Sequence, residues 1–196
     1  MIDSLIKNAG LDAGKARQAL PPVEQWHPPF CGAIDMRISR DGTWFYNGTP
    51  IARPALVRLF STILRKDPDG YVLVTPVEKV GIDVEDAPFL AVEMSVVQPR
   101  VLRFATNVGD WVEAGTEHPI RFEKSAHGGI KPYIHVRGGL WALATRTMSL
   151  ELAGLCETRE HAGAACFGVV SAGVFFPIAA EAEVEALAAG GSERSA

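Results

Sequence analysis

The sequence predicts an α+β fold with two small subdomains, each a curved, roll-like antiparallel sheet covered by one main helix. Apolar and polar residues alternate with a period of two through most of residues 77–137, which is typical of half-buried strands. Turn signals such as Asp41-Gly42 and Asn47-Gly48 separate short apolar runs. Between the termini, two segments, 54–66 and 146–157, carry apolar residues at helical spacing.

The first subdomain is expected to span residues 21–98, after an N-terminal segment, 1–20, with one or two short helices. In "IDMRIS" Ile34, Met36 and Ile38 alternate with polar residues, which predicts a half-buried strand. The Asp-Gly turn after it leads to the return strand "TWFYN". A proline suits the first turn of the following helix, and the run "YVLVT" then predicts a central strand.

The second subdomain, residues 99–180, repeats this order and is followed by a flexible acidic tail, 181–196. The stretch "YIHVRGGLWALATR", a helix and "CFGVVSAG" match the strand, turn, strand, helix and strand of the first half. Arg37 and Arg137 end matching strands, and Arg53 and Arg146 stand at the start of matching helices. We therefore predict an internal repeat of this motif.

Composition narrows the classes of partner and the compartment. The formal net charge is −4 with no run of Lys or Arg, so nucleic acid is not an expected partner. No apolar stretch is long enough for a membrane span, and the N-terminus does not resemble a secretory leader. Three unpaired cysteines suit a reducing compartment. These features predict a cytoplasmic protein without a membrane partner, cofactor, disulfide or structural metal, in which Cys156 and Cys166 are buried thiols.

The densest group of carboxylates lies in "VEKVGIDVEDAPF", residues 77–89. If residues 77–84 form one strand, Asp83 and Glu85 point to solvent, whereas Glu78 shares a face with apolar residues. Asp86 precedes Ala87-Pro88 and can cap that turn with its side chain. A buried Glu78 needs a partner, and it is either half of a buried ion pair or an acid that binds a ligand or catalyses a reaction.

Arginine is the best partner for such an acid, because its fork satisfies both carboxylate oxygens. The two arginines at the predicted helix starts are the candidates. The sequence contains no recognised nucleophile, dinucleotide, phosphate-loop or zinc motif. We therefore name no catalytic or metal-binding residue, and the ligand-binding candidates are Arg37, Arg53, Glu78, Glu85, Asp86, Arg137 and Arg146.

The segments "PPVEQWHPPFCGAIDMRISRDGTWFYNGTPIARPALVRLFSTIL", "YVLVTPVEKVGIDVEDAPF", "TNVGD" and "YIHVRGGLWA" resemble a bacterial family called domain of unknown function 1285. The resemblance runs from about residue 21 to residue 177, and "TPVEK" and "VEDAPF" are its most specific pieces. It implies an α+β fold with repeated motifs and two subdomains. It also implies a role in signal transduction and supplies no catalytic residue.

Together these observations predict a non-catalytic binding or signalling module. It would recognise a small molecule or a protein partner in a groove between the two subdomains. Two alternatives stay open at this point. One is a homo-oligomeric assembly protein that pairs through a sheet edge, and the other is an enzyme of unrecognised type that uses Glu78 or Glu85.

Overall fold

The computed structural model describes residues 2–8, 20–97, 100–125 and 129–182, with side chains from residue 5 onward. The described chain is mainly β, with a few helices. It divides into two sheet-rich units, of which unit 1 comprises Met1–Leu90, Thr106–Asp110 and Val136–Ala142, and unit 2 comprises Ala91–Ala105, Trp111–His135 and Leu143–Ala196. The domain boundaries predicted from the sequence stay a prediction. Residues 9–19 and 183–196, which include much of the predicted N-terminal segment and nearly all of the predicted tail, lie outside the described residues.

Unit 1 contains a six-stranded sheet, α1 (Ile2–Asn8), α2 (Pro54–Thr62) and a short 3-10 helix at Val23–Gln25. The strands are β1 (Phe30–Ile38), β2 (Trp44–Tyr46), β3 (Thr49–Pro50), β4 (Leu64–Asp67), β5 (Gly70–Val74) and β6 (Lys79–Val84), in the spatial order β3-β2-β1-β6-β5-β4.

The sheet of unit 1 is mixed, which corrects the prediction of a purely antiparallel one. β1 and β6 run parallel, with Ala33 opposite Gly81 and Ile38 opposite Val84, whereas the other neighbours are antiparallel. Parallel neighbours need a long crossover connection. Here α2 and four strands lie between β1 and β6 in the chain, and local alternation carries no information about that pairing.

The helix predicted at 54–66 ends at Thr62, four residues early. Ile63 and Leu64 are fully buried, and Leu64 pairs with Leu73 as the first residue of β4. Their apolar side chains match the helical stripe, but strand pairing places them in the core instead. The predicted core face of β1 is confirmed for Met36 and Ile38, which are buried, whereas Ile34 is half-buried.

A second six-stranded sheet follows in the chain. Its strands are β7 (Phe89–Val97), β8 (Val101–Thr106), β9 (Trp111–Glu113), β10 (Ile120–Lys124), β11 (Ile130–Arg137) and β12 (Leu140–Ala144), in the order β10-β11-β12-β7-β8-β9. The period-two alternation over residues 77–137 predicts a single meander, and the order corrects it: β7-β8-β9 and β10-β11-β12 are two runs joined where β12 lies beside β7, and β6 belongs to the other sheet. The helix α3 (Arg146–Ala153) comes next, and Thr145 caps it by accepting a hydrogen bond from the backbone N–H of Met148.

Unit 2 also holds a three-stranded sheet of β13 (Glu157–His161), β14 (Ala164–Ser171) and β15 (Val174–Ala180). The prediction extended α3 to residue 157, but Glu157 begins β13, where it pairs with Gly168. Ser171 is completely buried, and its Oγ donates to Ala114 O at 2.6 Å and accepts from the Leu102 N–H at 2.8 Å. This hydroxyl ties the β14–β15 hairpin to β8 and to the residue that follows β9.

The predicted internal repeat is not confirmed. Both halves share the order strand, turn, strand, helix and strand. However, β4 and β5 join the same sheet as β1, whereas β13 and β14 form a sheet separate from that of β11 and β12. No helix in the described part of the chain is long and apolar enough to cross a membrane.

The cysteines follow the prediction only in part. Cys166 is buried, as predicted, but Cys156 is half-buried because it lies beyond the end of α3. Burial nevertheless raises the pKa of the Cys156 thiol. Cys31 is exposed on β1.

Candidate ligand-binding site

Two of the predicted site residues, Arg37 and Glu85, meet in unit 1. Arg37 Nη1 donates to Glu85 Oε1, and the guanidinium lies 4.4 Å from the centroid of the Phe45 ring. Glu85 Oε2 accepts from the backbone N–H of Arg40 at 3.2 Å. The Arg37 and Glu85 side chains are 40% and 36% exposed, so this is a surface ion pair with its carboxylate already occupied.

Arg137 is a structural tie within unit 1. It donates through Nη1 to Asp110 Oδ2 and through Nη2 to Ser61 O, and its guanidinium lies 5.1 Å from the centroid of the Phe89 ring. These contacts hold the end of β11 to the end of α2 and to the turn after β8. These contacts within the protein are enough to account for an arginine at position 137, so its presence does not indicate a bound ligand.

Glu78 lies in the turn before β6. It is half-buried, whereas Asp83 and Glu85 are exposed, which is the predicted order of burial. Because β6 begins at Lys79 and ends at Val84, neither Glu78 nor Glu85 lies in the strand, so strand parity is not the reason for this order. Its Oε1 accepts from Asn8 Nδ2 at 2.9 Å, a partner on α1 that the sequence did not indicate. The predicted contact with an arginine stays a prediction.

The other three predicted residues are dispersed along the chain. Arg53 and Arg146 are exposed, one directly before α2 and the other as the first residue of α3. Asp86 is half-buried after β6. Each is thus placed near an element end, as the sequence indicated, and a role in binding stays a prediction for all three.

A charged network that the sequence did not reveal links β4 and β6. Asp67 Oδ1 accepts from Arg65 Nε at 2.7 Å, and Asp67 Oδ2 accepts from Lys79 Nζ at 2.9 Å. The hydrogen bond from Arg65 and the nearby Lys79 lower the pKa of Asp67 to about 2. Arg65 is only 8% exposed and also donates to Val23 O and Trp26 O, so the network is anchored on the protein side.

Beside this network lies a cavity of about 410 Å³ within unit 1. We call it the β1–β6 pocket. Its apolar lining comes from β1, β5 and β6, and its charged groups lie at the end of β4, in the β4–β5 turn and along β6. The lining residues are Phe30, Ala33, Ile34, Asp67, Asp69, Gly70, Tyr71, Val72, Lys79, Gly81, Ile82 and Asp83.

Small residues make room for this cavity. Ala33 and Gly81 face each other across β1 and β6, and a Cβ on Gly81 would lie 3.6 Å from the Phe30 ring. The Phe30 side chain is 60% exposed, although it is large and apolar. An exposed aromatic ring beside a depression is the kind of surface that ligands cover.

Only some of the carboxylates around the pocket are neutralised by a neighbouring positive charge. Asp67 is compensated by Arg65 and Lys79. Asp69 and Asp83 are exposed and make no ion pair within the part of the chain that the structure describes. The pocket therefore has a net negative lining. In the described ranges no group of three or more His, Cys, Asp or Glu side chains is arranged to hold a metal ion.

Comparison with known proteins identifies the family. The sequence models for the N-terminal and C-terminal domains of DUF1285, a domain and protein of unknown function, match residues 21–87 and 88–178. The chain belongs to the DUF1285 family. A search of curated proteins finds no match.

Two solved DUF1285 structures resemble this chain. The one from Silicibacter pomeroyi DSS-3 is 50% identical, with a TM-score of 0.80 over 87% of this chain and 95% of the other. The one from Shewanella baltica OS155 is 30% identical, with a TM-score of 0.50 over 61% of this chain and 90% of the other. The family likeness thus extends through the fold, while the family description assigns no function.

Proposed function

We propose that this DUF1285 protein is a non-catalytic binding module that holds a small organic molecule in the β1–β6 pocket. The observation that carries the proposal is a cavity of about 410 Å³ in which Phe30 lies exposed beside the small pair Ala33 and Gly81. Binding sites for small molecules have volumes of about 300–1,000 Å³ and combine apolar walls with a few polar groups. In a signalling role, binding of this ligand would be the signal that the protein passes on to a partner.

The lining favours a ligand with an apolar body and one positive group. Phe30, Tyr71 and Ile82 offer apolar surface to the body. Asp69 and Asp83 offer carboxylates that no ion pair within the described residues neutralises. Because Asp67 is already neutralised by Arg65 and Lys79, the positive group is expected beside the two rim carboxylates rather than at the network.

Blocking the pocket without unfolding the protein tests the proposal. A Cβ on Gly81 would lie 3.5 Å from Ala33 Cβ, which is ordinary van der Waals contact, so Gly81→Leu should fold and place its side chain in the cavity. Wild type and Gly81→Leu would be purified in parallel and compared by native mass spectrometry. A small molecule that copurifies with wild type alone supports the proposal, and one that persists in equal amount in Gly81→Leu refutes it.

The two alternatives, sheet-edge assembly and catalysis by Glu78 or Glu85, have weaker support. Both oxygens of Glu85 are occupied, by Arg37 and by the N–H of Arg40. Glu78 accepts a hydrogen bond from Asn8. A carboxylate held in this way is less available as a general base than a free one in a cleft. Sheet-edge assembly rests only on the presence of edge strands such as β4.

A further inference from the structure

A second cavity, of about 270 Å³, lies in unit 1 beside the start of α2. We call it the α2 pocket. Ile51, Val57 and Val108 give it apolar walls. The lining also includes Trp44, Arg58 and Asn107, whose side chains carry hydrogen-bond donors. Among the residues that the structure describes, neither an aspartate nor a glutamate lines it. Its charge is therefore opposite in sign to that of the β1–β6 pocket.

Trp44, one of the lining residues, carries a buried donor without a partner. Its side chain is 1% exposed and stacks on Phe60, with 6.2 Å between the ring centroids. Its Nε1–H has no hydrogen-bond partner, and it is the sole buried side-chain N or O atom of the described residues in that position. Buried donors are almost always paired, because an unpaired one has lost its hydrogen bonds to water and gained nothing in return.

Asn107 presents a second donor. Its Oδ1 accepts from the Leu90 N–H at 3.0 Å, and the Asn107 N–H donates to Leu90 O at 2.9 Å. Because the oxygen of the carboxamide is engaged, Nδ2 is the end that remains to donate. A Cβ on Gly42 would lie 2.7 Å from this nitrogen, so the glycine at that turn leaves room for the amide.

Arg58 supplies the charge. Its guanidinium makes no ion pair within the residues that the structure describes. It packs closely on the turn after β8, where a Cβ on Gly109 would lie 2.8 Å from Nη2. Gly109 has a φ of +93°, a conformation that glycine adopts without strain. The backbone of this turn thus supports the guanidinium beside the cavity.

We propose that the α2 pocket binds a small carboxylate with an apolar body. Within the part of the chain that the structure describes, three lining residues carry side-chain donors without a protein acceptor: Trp44 Nε1 is buried, whereas Asn107 and the positively charged Arg58 are exposed. A carboxylate offers two oxygens in the plane that a guanidinium fork recognises. The apolar walls favour a carboxylate joined to a hydrophobic group over an inorganic anion. This site shares no lining residue with the β1–β6 pocket, and it stands or falls independently of the proposed function.

The indole N–H of Trp44 provides a direct readout. ¹⁵N NMR spectra of the full chain would show an indole signal from each of the four tryptophans, and that of Trp44 is assigned through its contact with the Phe60 ring. Benzoate, benzyl alcohol and benzylamine would be titrated in turn, as negative, neutral and positive probes of similar shape. We expect benzoate to shift the Trp44 signal, with weaker binding of the other two. No shift with benzoate, or equal binding of benzylamine, would overturn the proposal.

A matched pair of variants on one helix then tests the guanidinium. Arg58 is itself exposed, and Arg58→Gln removes the charge of a residue that lines the pocket. Arg53→Gln makes the same change at an exposed residue that does not line it. The first should weaken benzoate binding by about tenfold or more, since it removes a charge-assisted hydrogen bond, and the second should change it by less than about twofold. Equal affinities of the two variants would contradict the assignment.

Discussion

Ala33 lies opposite Gly81 across the parallel pair of β1 and β6, and a Cβ added to Gly81 would be 3.5 Å from the Cβ of Ala33. The depression between the two strands therefore exists because both residues are small. Packing does not require a glycine here, since an alanine would fit at ordinary contact distance. The missing side chain is more simply explained by the cavity that it leaves open.

This relationship predicts that Gly81→Ala is tolerated. A glycine within a strand destabilises it by about 0.5–1 kcal/mol relative to alanine, so the free energy of unfolding should stay equal or rise slightly. Gly168→Ala in β14 is the contrasting variant, because its Cβ would lie 2.5 Å from both the Phe175 ring and the Phe176 carbonyl oxygen. Urea denaturation of both should show a clear loss for Gly168→Ala alone. A large loss of stability in Gly81→Ala would mean that β1 and β6 pack more tightly at Gly81 than the 3.5 Å separation from Ala33 indicates.

The network at Asp67 predicts a dependence of stability on pH. Its pKa is about 2 in the folded protein and near 3.8 without the network. The unfolded chain therefore binds more protons between these values, so stability is present above about pH 4 and is lost as the pH falls through about 2. Asp67→Asn should lower the free energy of unfolding by up to about 2 kcal/mol at pH 7 and by almost nothing at pH 2. A difference that does not change with pH would refute this coupling.

Ser171 is predicted to be important for the stability of unit 2. Its buried Oγ serves Leu102 N–H and Ala114 O, so Ser171→Ala leaves one buried donor and one buried acceptor with less hydrogen bonding. The expected cost is about 1–3 kcal/mol. Ser149→Ala is the control, because that hydroxyl only bonds back to Thr145 O within α3. Thermal melts that show equal shifts for the two variants would contradict the bridging role.

The carboxylates at 78, 83 and 85 should differ in the same kind of experiment. Glu78 is half-buried and accepts a hydrogen bond from Asn8 Nδ2. Glu78→Gln removes the charge of this acceptor and should lower the free energy of unfolding by about 1 kcal/mol. Asp83→Asn changes an exposed side chain and should cost under about 0.5 kcal/mol. Glu85→Gln breaks only a surface pair with Arg37, and an effect larger than that of Glu78→Gln would show that the order of burial is wrong.

Local pattern accounts for most of the strands and for the buried face of β1, because alternation of side chains is a local property of the chain. It does not account for the end of α2, since Ile63 and Leu64 fit the helical stripe and the core of a sheet equally well. Nor does it contain the pairing of β1 with β6, which joins residues more than forty positions apart.

The candidate site could not be predicted from the sequence, because it also depends on where helices end and on how distant strands pair. The predicted helix covers Leu64 to Lys66, and Asp67 begins the "DPDG" stop signal that follows it, so nothing in the local pattern places Asp67 in a strand near Lys79. The pairing of Arg37 with Glu85 depends on the parallel register at the end of β6. The pocket itself is defined by side chains that are small or absent, and such positions carry no chemical signal in a sequence.

Titration with matched fragments tests directly whether the β1–β6 pocket binds a small molecule with an apolar body and a positive group. Phenylethylamine and phenylpropionate would be added to ¹⁵N-labelled wild type and Gly81→Leu, and the backbone amides of Val72 and Ile82, which line the cavity, would be followed by NMR. If the carboxylates of Asp69 and Asp83 bind the positive group, the amine shifts these signals in wild type, the acid does so much less, and Gly81→Leu responds to neither. Equal shifts in both proteins, or stronger binding of the acid, would contradict the proposal.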